Sequence, residues 1–155
     1  PMKLSDAITL ACLLAIIAIK MDLLDPAVIV DPVVVDSSPF QSPGFAVMIL
    51  KEAKEVGSLP SDQRAIFTSS KVIKYLTTNC VKIASLPGFR IWDDDYTDGH
   101  FSNVDDVWKD AYPLVLKQAS GKVPWVAIND GKGGGYTGPL PESIDAFIAL
   151  CEEYK

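Results

Sequence analysis

Catalysis needs a nucleophile, a base or a set of metal ligands, and this chain offers few residues of those kinds. There are three cysteines, Cys12, Cys80 and Cys151, and one histidine, His100. The cysteines are scattered and form no Cys-x-x-Cys pair, so thiol exchange through a low-pKa thiolate has no evident carrier. Cys80 and Cys151 each fall on an apolar helical face and read as core thiols, buried and distant from one another. An odd, scattered set suits a reducing compartment or inert buried thiols better than a disulfide framework. His100 has no cysteine near it in sequence and no Gly-x-Ser-x-Gly elbow to serve, so it receives no catalytic role.

The densest polar cluster is Asp93-Asp94-Asp95-Tyr96-Thr97-Asp98-Gly99-His100. Carboxylates after a strand, with a glycine, suggest a loop for a hard cation. The spacing does not complete the calcium-loop pattern, whose twelfth position needs Glu, because counting from Asp93 reaches Val104 and counting from Asp95 reaches Asp106. The cluster reads as a solvated strand-end loop. Gly131-Lys132-Gly133-Gly134-Gly135 lacks the Walker spacing and reads as a hairpin. No metal, cofactor or catalytic residue is therefore expected. Gly57-Ser58-Leu59-Pro60-Ser61 lies between a strand and a helix, where Ser58 or Ser61 is available as an N-cap.

The surrounding chain sets the frame. Its 155 residues, 48% of them hydrophobic, are enough for one domain with something appended, and they exclude wholesale disorder. A net charge of −6 argues against a phosphate-tracking surface, so nucleic acid is not an expected partner. The segment 4–24 carries a run, 7–19 between Lys3 and Lys20, that is apolar all round. The uninterrupted run over 7–19 is shorter than the ~20 residues of a full span, although Lys20 can snorkel and residues 21–24 lengthen it. A signal peptide is the weaker reading, because no convincing small-x-small cleavage site precedes Lys20. A retained anchor helix is expected over 1–24, buried by other protein subunits, by copies of itself or by a lipid bilayer.

Residues 25–36 contain the near-repeat Asp25-Pro26-Ala27-Val28-Ile29-Val30, Asp31-Pro32-Val33-Val34-Val35-Asp36. Each proline favours extended geometry before it, and the β-branched runs favour strand, so this is an extended arm that could add to a sheet edge. A turn-rich linker over 37–44 completes the 25–44 segment, with the domain boundary near Pro43.

Residues 45–155 alternate between strand and helix. A buried strand is expected over 45–51 and a helix over 61–80, with Ile66, Ile73, Leu76 and Cys80 inward. A strand follows over 89–93, then a helix capped by Ser102 with Asp105, its inner stripe Val104, Val107, Trp108, Ala111 and Val115. Pro113 should kink or split that helix. A third strand over 124–129, a turn at Asn129-Asp130-Gly131, a fourth strand over 134–137 and a helix opened by Pro141 close the chain. Ile144, Phe147, Ile148 and Cys151 point inward on the last helix.

This order resembles the thioredoxin-like superfamily over 45–155. Val123-Pro124 precedes the third strand where that family places a cis-proline, the alternative being an ordinary strand-initial proline. Ser58, Leu59, Pro60 and Ser61 have the spacing and the proline of a Trp-Cys-Gly-Pro-Cys motif, with serine at both cysteine positions; the helix-cap reading stands beside this one. The resemblance implies a mixed four-stranded sheet flanked by helices and a degenerate site of Ser58, Leu59, Pro60, Ser61, Val123 and Pro124, without thiol chemistry. The strings Trp92-Asp93-Asp94-Asp95, Val123-Pro124-Trp125-Val126 and Thr137-Gly138-Pro139-Leu140-Pro141 are also similar to uncharacterised thioredoxin-like proteins of bacteriophages and environmental bacteria. That likeness implies a virion or membrane-associated structural protein, acting through protein contacts and open to homo-oligomer formation. The alternatives are a membrane-tethered redox or peptide-binding, chaperone-like protein and, behind it, a single-cysteine enzyme.

Overall fold

A computed structural model describes residues 38–96 and 98–155, with backbone alone for 98–100. The anchor segment 4–24, the arm 25–36 and Cys12 lie outside the described residues. The architecture is mixed α/β, a four-stranded mixed sheet with four helices among the described residues.

The organising element is β1, Phe45–Lys51. Its side chains alternate between two buried layers, as the pleat requires: Phe45, Val47 and Ile49 enter one, Ala46, Met48 and Leu50 the other. Each large aliphatic side chain buried this way contributes about 2 kcal/mol of transfer free energy. Strand β1 pairs in parallel with β4, Phe89–Asp93, and antiparallel with β5, Trp125–Asp130, which pairs antiparallel with β6, Gly135–Pro139. The order across the sheet is β4-β1-β5-β6.

Where one helix is expected over 61–80 the chain forms two, α1 Ser61–Ala65 and α2 Ser70–Asn79. The run Thr68-Ser69-Ser70 supplies the break: Ser69 is extended and its side chain accepts from Lys71 N at 3.2 Å, capping α2. The restart shifts the buried stripe to Val72 and Leu76, leaving Ile73 half-buried. A small hairpin, β2 Lys82–Ile83 with β3 Leu86–Pro87, has no counterpart in the sequence reading. Its turn places Ala84 and Ser85 at positive φ (49° and 69°) without the Asn or Gly that signals such a turn.

Helix α3 spans Asp106–Ala119, and its N-cap is Asp105, whose carboxylate accepts from Val107 N at 3.0 Å; Ser102 belongs to a preceding 3-10 stretch. The later start moves the fully buried stripe to Trp108, Ala111, Tyr112, Val115 and Ala119, with Val104 and Val107 only partly covered. Pro113 does not split the helix. Helix α4, Ile144–Glu153, is capped by Ser143 rather than opened by Pro141, and buries Phe147 and Cys151, with Ile144 and Ile148 partly covered. Helices α2 and α4, with Ile66 and Phe67 just past α1, cover the Phe45 side of the sheet and α3 covers the Met48 side. No described helix is long and apolar enough to cross a membrane.

The described part of the expected linker, residues 38–44, packs onto the domain. Phe40 is 2% exposed and lies 5.8 Å from the Trp108 ring. Buried Asn129 holds it there: its amide donates to Ser38 Oγ (2.6 Å) and to the Phe40 carbonyl, while its Oδ1 accepts from Gly131 N (2.5 Å). One side chain thus ties the N-terminal crossing to the β5–β6 turn. Asn129→Ala strands these partners and is expected to cost about 1–3 kcal/mol in urea unfolding. Pro113→Ala restores a helix-interior donor and is expected to raise stability by about 1–3 kcal/mol in the same assay.

Candidate functional site

Three structural elements bear on the site that the resemblance implies. A 3-10 turn at Val56–Ser58 leads through extended Leu59 to Pro60, which occupies the N-cap of α1 with no side-chain cap bond. Neither serine therefore caps the helix. The Ser58 hydroxyl donates back to the Glu55 carbonyl at 2.7 Å, and the Ser61 hydroxyl donates to Asp62 Oδ1 at 3.3 Å. Ser58, Pro60 and Ser61 are exposed, and Leu59 is half-buried against the Phe45-side core. A serine hydroxyl does not ionise near neutral pH. Here neither donates to a base that could activate it, since Ser58 faces a carbonyl and Ser61 an exposed carboxylate one residue on.

Val123 and Pro124 are half-buried at the head of β5, joined by a cis peptide bond as the resemblance implied. The link between the two segments runs through Leu140. Its N–H donates to the Pro124 carbonyl at 3.0 Å, and its carbonyl accepts from Gln63 Nε2 of α1 at 2.8 Å. Gln63 was not singled out in the sequence, because a glutamine in a short polar helix carries no spacing signal. Behind Pro124, Trp125 is buried and its indole N–H donates to Thr137 Oγ1 at 2.8 Å, fixing β5 against β6.

Both described cysteines are sealed in the Phe45-side core, Cys80 at the C-cap of α2 and Cys151 on α4. They share that layer as free thiols. Burial pushes the Cys80 thiol up to about 12. Burial likewise pushes Cys151 strongly upward, with Cys80 and Glu152 adding to it. Beside them the Tyr75 hydroxyl is buried against the Glu152 carboxylate without reaching hydrogen-bonding geometry.

The acidic run resolves differently from its sequence pattern. Asp93 and Asp94 are joined by Glu52, all three offering oxygens within 4.8 Å of one another. Register explains it: β1 and β4 are parallel neighbours with Lys51 opposite Asp93, so the residues just past both strand ends converge. Linear spacing could not bring Glu52 to this group; the parallel pairing does. Lys51 Nζ sits in the cluster, 3.0 Å from Asp93 Oδ2. Burial favours the neutral form of Asp93, but the Lys51 hydrogen bond and charge outweigh it and hold the carboxyl low. Asp94 moves the other way, raised by burial and then by the charges of Glu52 and Asp93. Three carboxylates of this kind are the described residues able to gather a hard cation, and Lys51 already neutralises part of their charge. Of His100 only the backbone is described.

These features generate two expectations. In dithiothreitol-driven insulin reduction the protein should show no turnover above background; turnover that vanishes in Cys80→Ser would place the active thiol at Cys80. Unfolded thiols ionise near pH 8.5, whereas Cys80 keeps its proton to about 12, so the folded state holds more protons over that window and stability falls as pH rises through it. Urea midpoints measured at about pH 8 and about pH 10 should show that fall, and Cys80→Ala should make it shallower.

No family model matches the chain, and neither a curated protein nor a solved structure matches it.

Proposed function

We propose that the chain carries a thioredoxin-like domain stripped of thiol chemistry, serving as a structural or interaction component of a larger assembly of the phage-particle kind, with residues 4–24 as its anchor. The observation that carries this reading is the pair Ser58 and Ser61 at the reactive spacing, with the described thiols withdrawn into the core. Support for the family comes from the β4-β1-β5-β6 order with one parallel and two antiparallel pairings, and from Val123-Pro124 at the head of β5. Fold-level likeness does not specify an activity, and the site retains surface without a nucleophile, which suits recognition. The anchor adds the second half of the argument: an apolar helix left in water exposes a patch that soluble monomers do not tolerate, and burying a few hundred Å² of it contributes several kcal/mol at about 25 cal/mol per Å².

A membrane-tethered relative that binds extended peptide is the second reading, favoured by the exposure of Ser58 and Pro60 on the element that Gln63 ties to the Pro124 strand. The test is association state. By sedimentation, residues 32–155 should be monomeric and soluble, and the full chain should associate or require detergent. A full chain that stays monomeric and monodisperse in plain buffer would sink the anchoring idea. Selective partition of the full chain into neutral lipid vesicles, without self-association, would favour the tethered reading.

A further inference from the structure

A groove of about 510 Å³ is lined by Tyr136 of β6, Pro141 of the turn that follows it, and one face of α4. On the helix, Ala146, Ala149, Leu150 and Glu153 recur at the three- and four-residue spacing that sets side chains on a common face. Phe147 and Cys151 take the core-facing side instead. Both alanines are exposed and Leu150 is half-buried, so the helix presents a shallow apolar floor.

Tyr136 forms a wall above that floor. It is 6% exposed and part of the Phe45-side core, and its ring lies 5.8 Å from that of Tyr154, tilted by 46°. Gly138 makes room for it, since the two share a face of the strand and an added Cβ would run into the Tyr136 hydroxyl. That hydroxyl has no hydrogen-bond partner among the described residues, and neither has that of Tyr154. A buried phenol ordinarily finds one. Burial and then the charges of Tyr154 and Glu153 push Tyr136 above the ordinary phenol range, while burial and then Glu153 push Tyr154 the same way. Both therefore stay protonated at neutral pH and free to donate. Glu153 is exposed and pairs with no cation among the described residues, and no Lys or Arg lines the groove.

These groups select a partner by their chemistry. Two unused donors suit carbonyls, an unpaired carboxylate suits a cation, and aromatic walls over an alanine floor suit compact apolar rings. A polyproline II segment supplies carbonyls that no internal hydrogen bond consumes, and pyrrolidine rings where other residues carry N–H groups. Its dimensions fit as well. From Ala146 to Glu153 the helix face runs about 10 Å, the length of about three residues of that conformation. We propose that this groove docks a proline-rich peptide of another protein in the polyproline II conformation, with a Lys or Arg of that peptide set against Glu153. The site shares no residue with Ser58–Ser61 or Val123-Pro124, and it stands apart from the assembly reading, whether or not residues 4–24 anchor anything.

Titrating the isotopically labelled full chain, in buffer or mild detergent, with the acetylated peptide Pro-Pro-Leu-Pro-Pro-Arg tests it. The amide resonances of Tyr136, Ala146, Ala149 and Tyr154 should shift saturably, with a Kd below about 1 mM. Replacing the final Arg of the peptide by Glu should weaken binding about fivefold, and Glu153→Gln should remove most of that difference. Tyr136→Phe keeps the ring and removes the donor, which should weaken binding about fivefold. Ala149→Lys puts a cation on the floor at an exposed position and should abolish saturation. The Met48 amide in β1 reports whether each variant is folded, and Glu153→Gln, made on an exposed side chain, decides the matter if either of the others is not. Absence of saturation, equal affinity for the Arg- and Glu-ended peptides, or an Arg preference unchanged by Glu153→Gln would overturn the proposal. Shifts centred on Ser58–Ser61 and Pro124 would assign peptide binding to that segment, and groove shifts that grow with protein concentration before peptide is added would assign the groove to a second copy; either result overturns it too.

Discussion

A strand buried on both faces governs this fold. Strand β1 carries Phe-Ala-Val-Met-Ile-Leu with no polar interruption, and six of its seven residues are sealed from solvent. Such a strand is stable only if both faces of the sheet are covered, which forces helices onto each side and makes the Phe45 and Met48 layers separate packing problems. On one side α2 and α4 share the cover with Ile66 and Phe67; on the other α3 does most of the work, assisted by Phe40 from the N-terminal crossing. The contribution of Phe40 explains why residues 38–44 belong to the domain despite a composition that reads as linker.

Features governed by local periodicity were legible. Strands β1, β4 and β5 and the last helix fall close to where runs of apolar residues place them, and the β5–β6 turn is announced by Asn129-Asp130-Gly131. Features governed by competition among polar side chains were not. The break between α1 and α2 comes with Ser69 capturing Lys71 N, a choice that a stripe of apolar residues overlooks, and α3 is capped by the Asp105 carboxylate on Val107 N and not by Ser102. The Ala84–Ser85 turn was invisible for another reason: its residues are poor at positive φ and carry no turn signal.

The candidate site divides in the same way. Ser58 and Ser61 and their lack of a thiol could be read directly, and so could the burial of the two described cysteines. The neighbourhood of those residues could not. Pairing between β1 and β4 gathers Glu52 with Asp93 and Asp94, and the contact between α1 and Leu140 joins the Ser58–Ser61 segment to Pro124. Both depend on strand register and long-range hydrogen bonds, which no local window contains.

The two packing layers also differ in their chromophores. All three tryptophans, Trp92, Trp108 and Trp125, belong to the Met48 layer, whereas the two described cysteines belong to the Phe45 layer. With Cys12 replaced by serine, indole emission and thiol labelling therefore watch opposite faces of one sheet. An unfolding transition in which the two signals coincide would mean that the central strand couples both layers into one cooperative unit; signals that separate would identify which face loosens first.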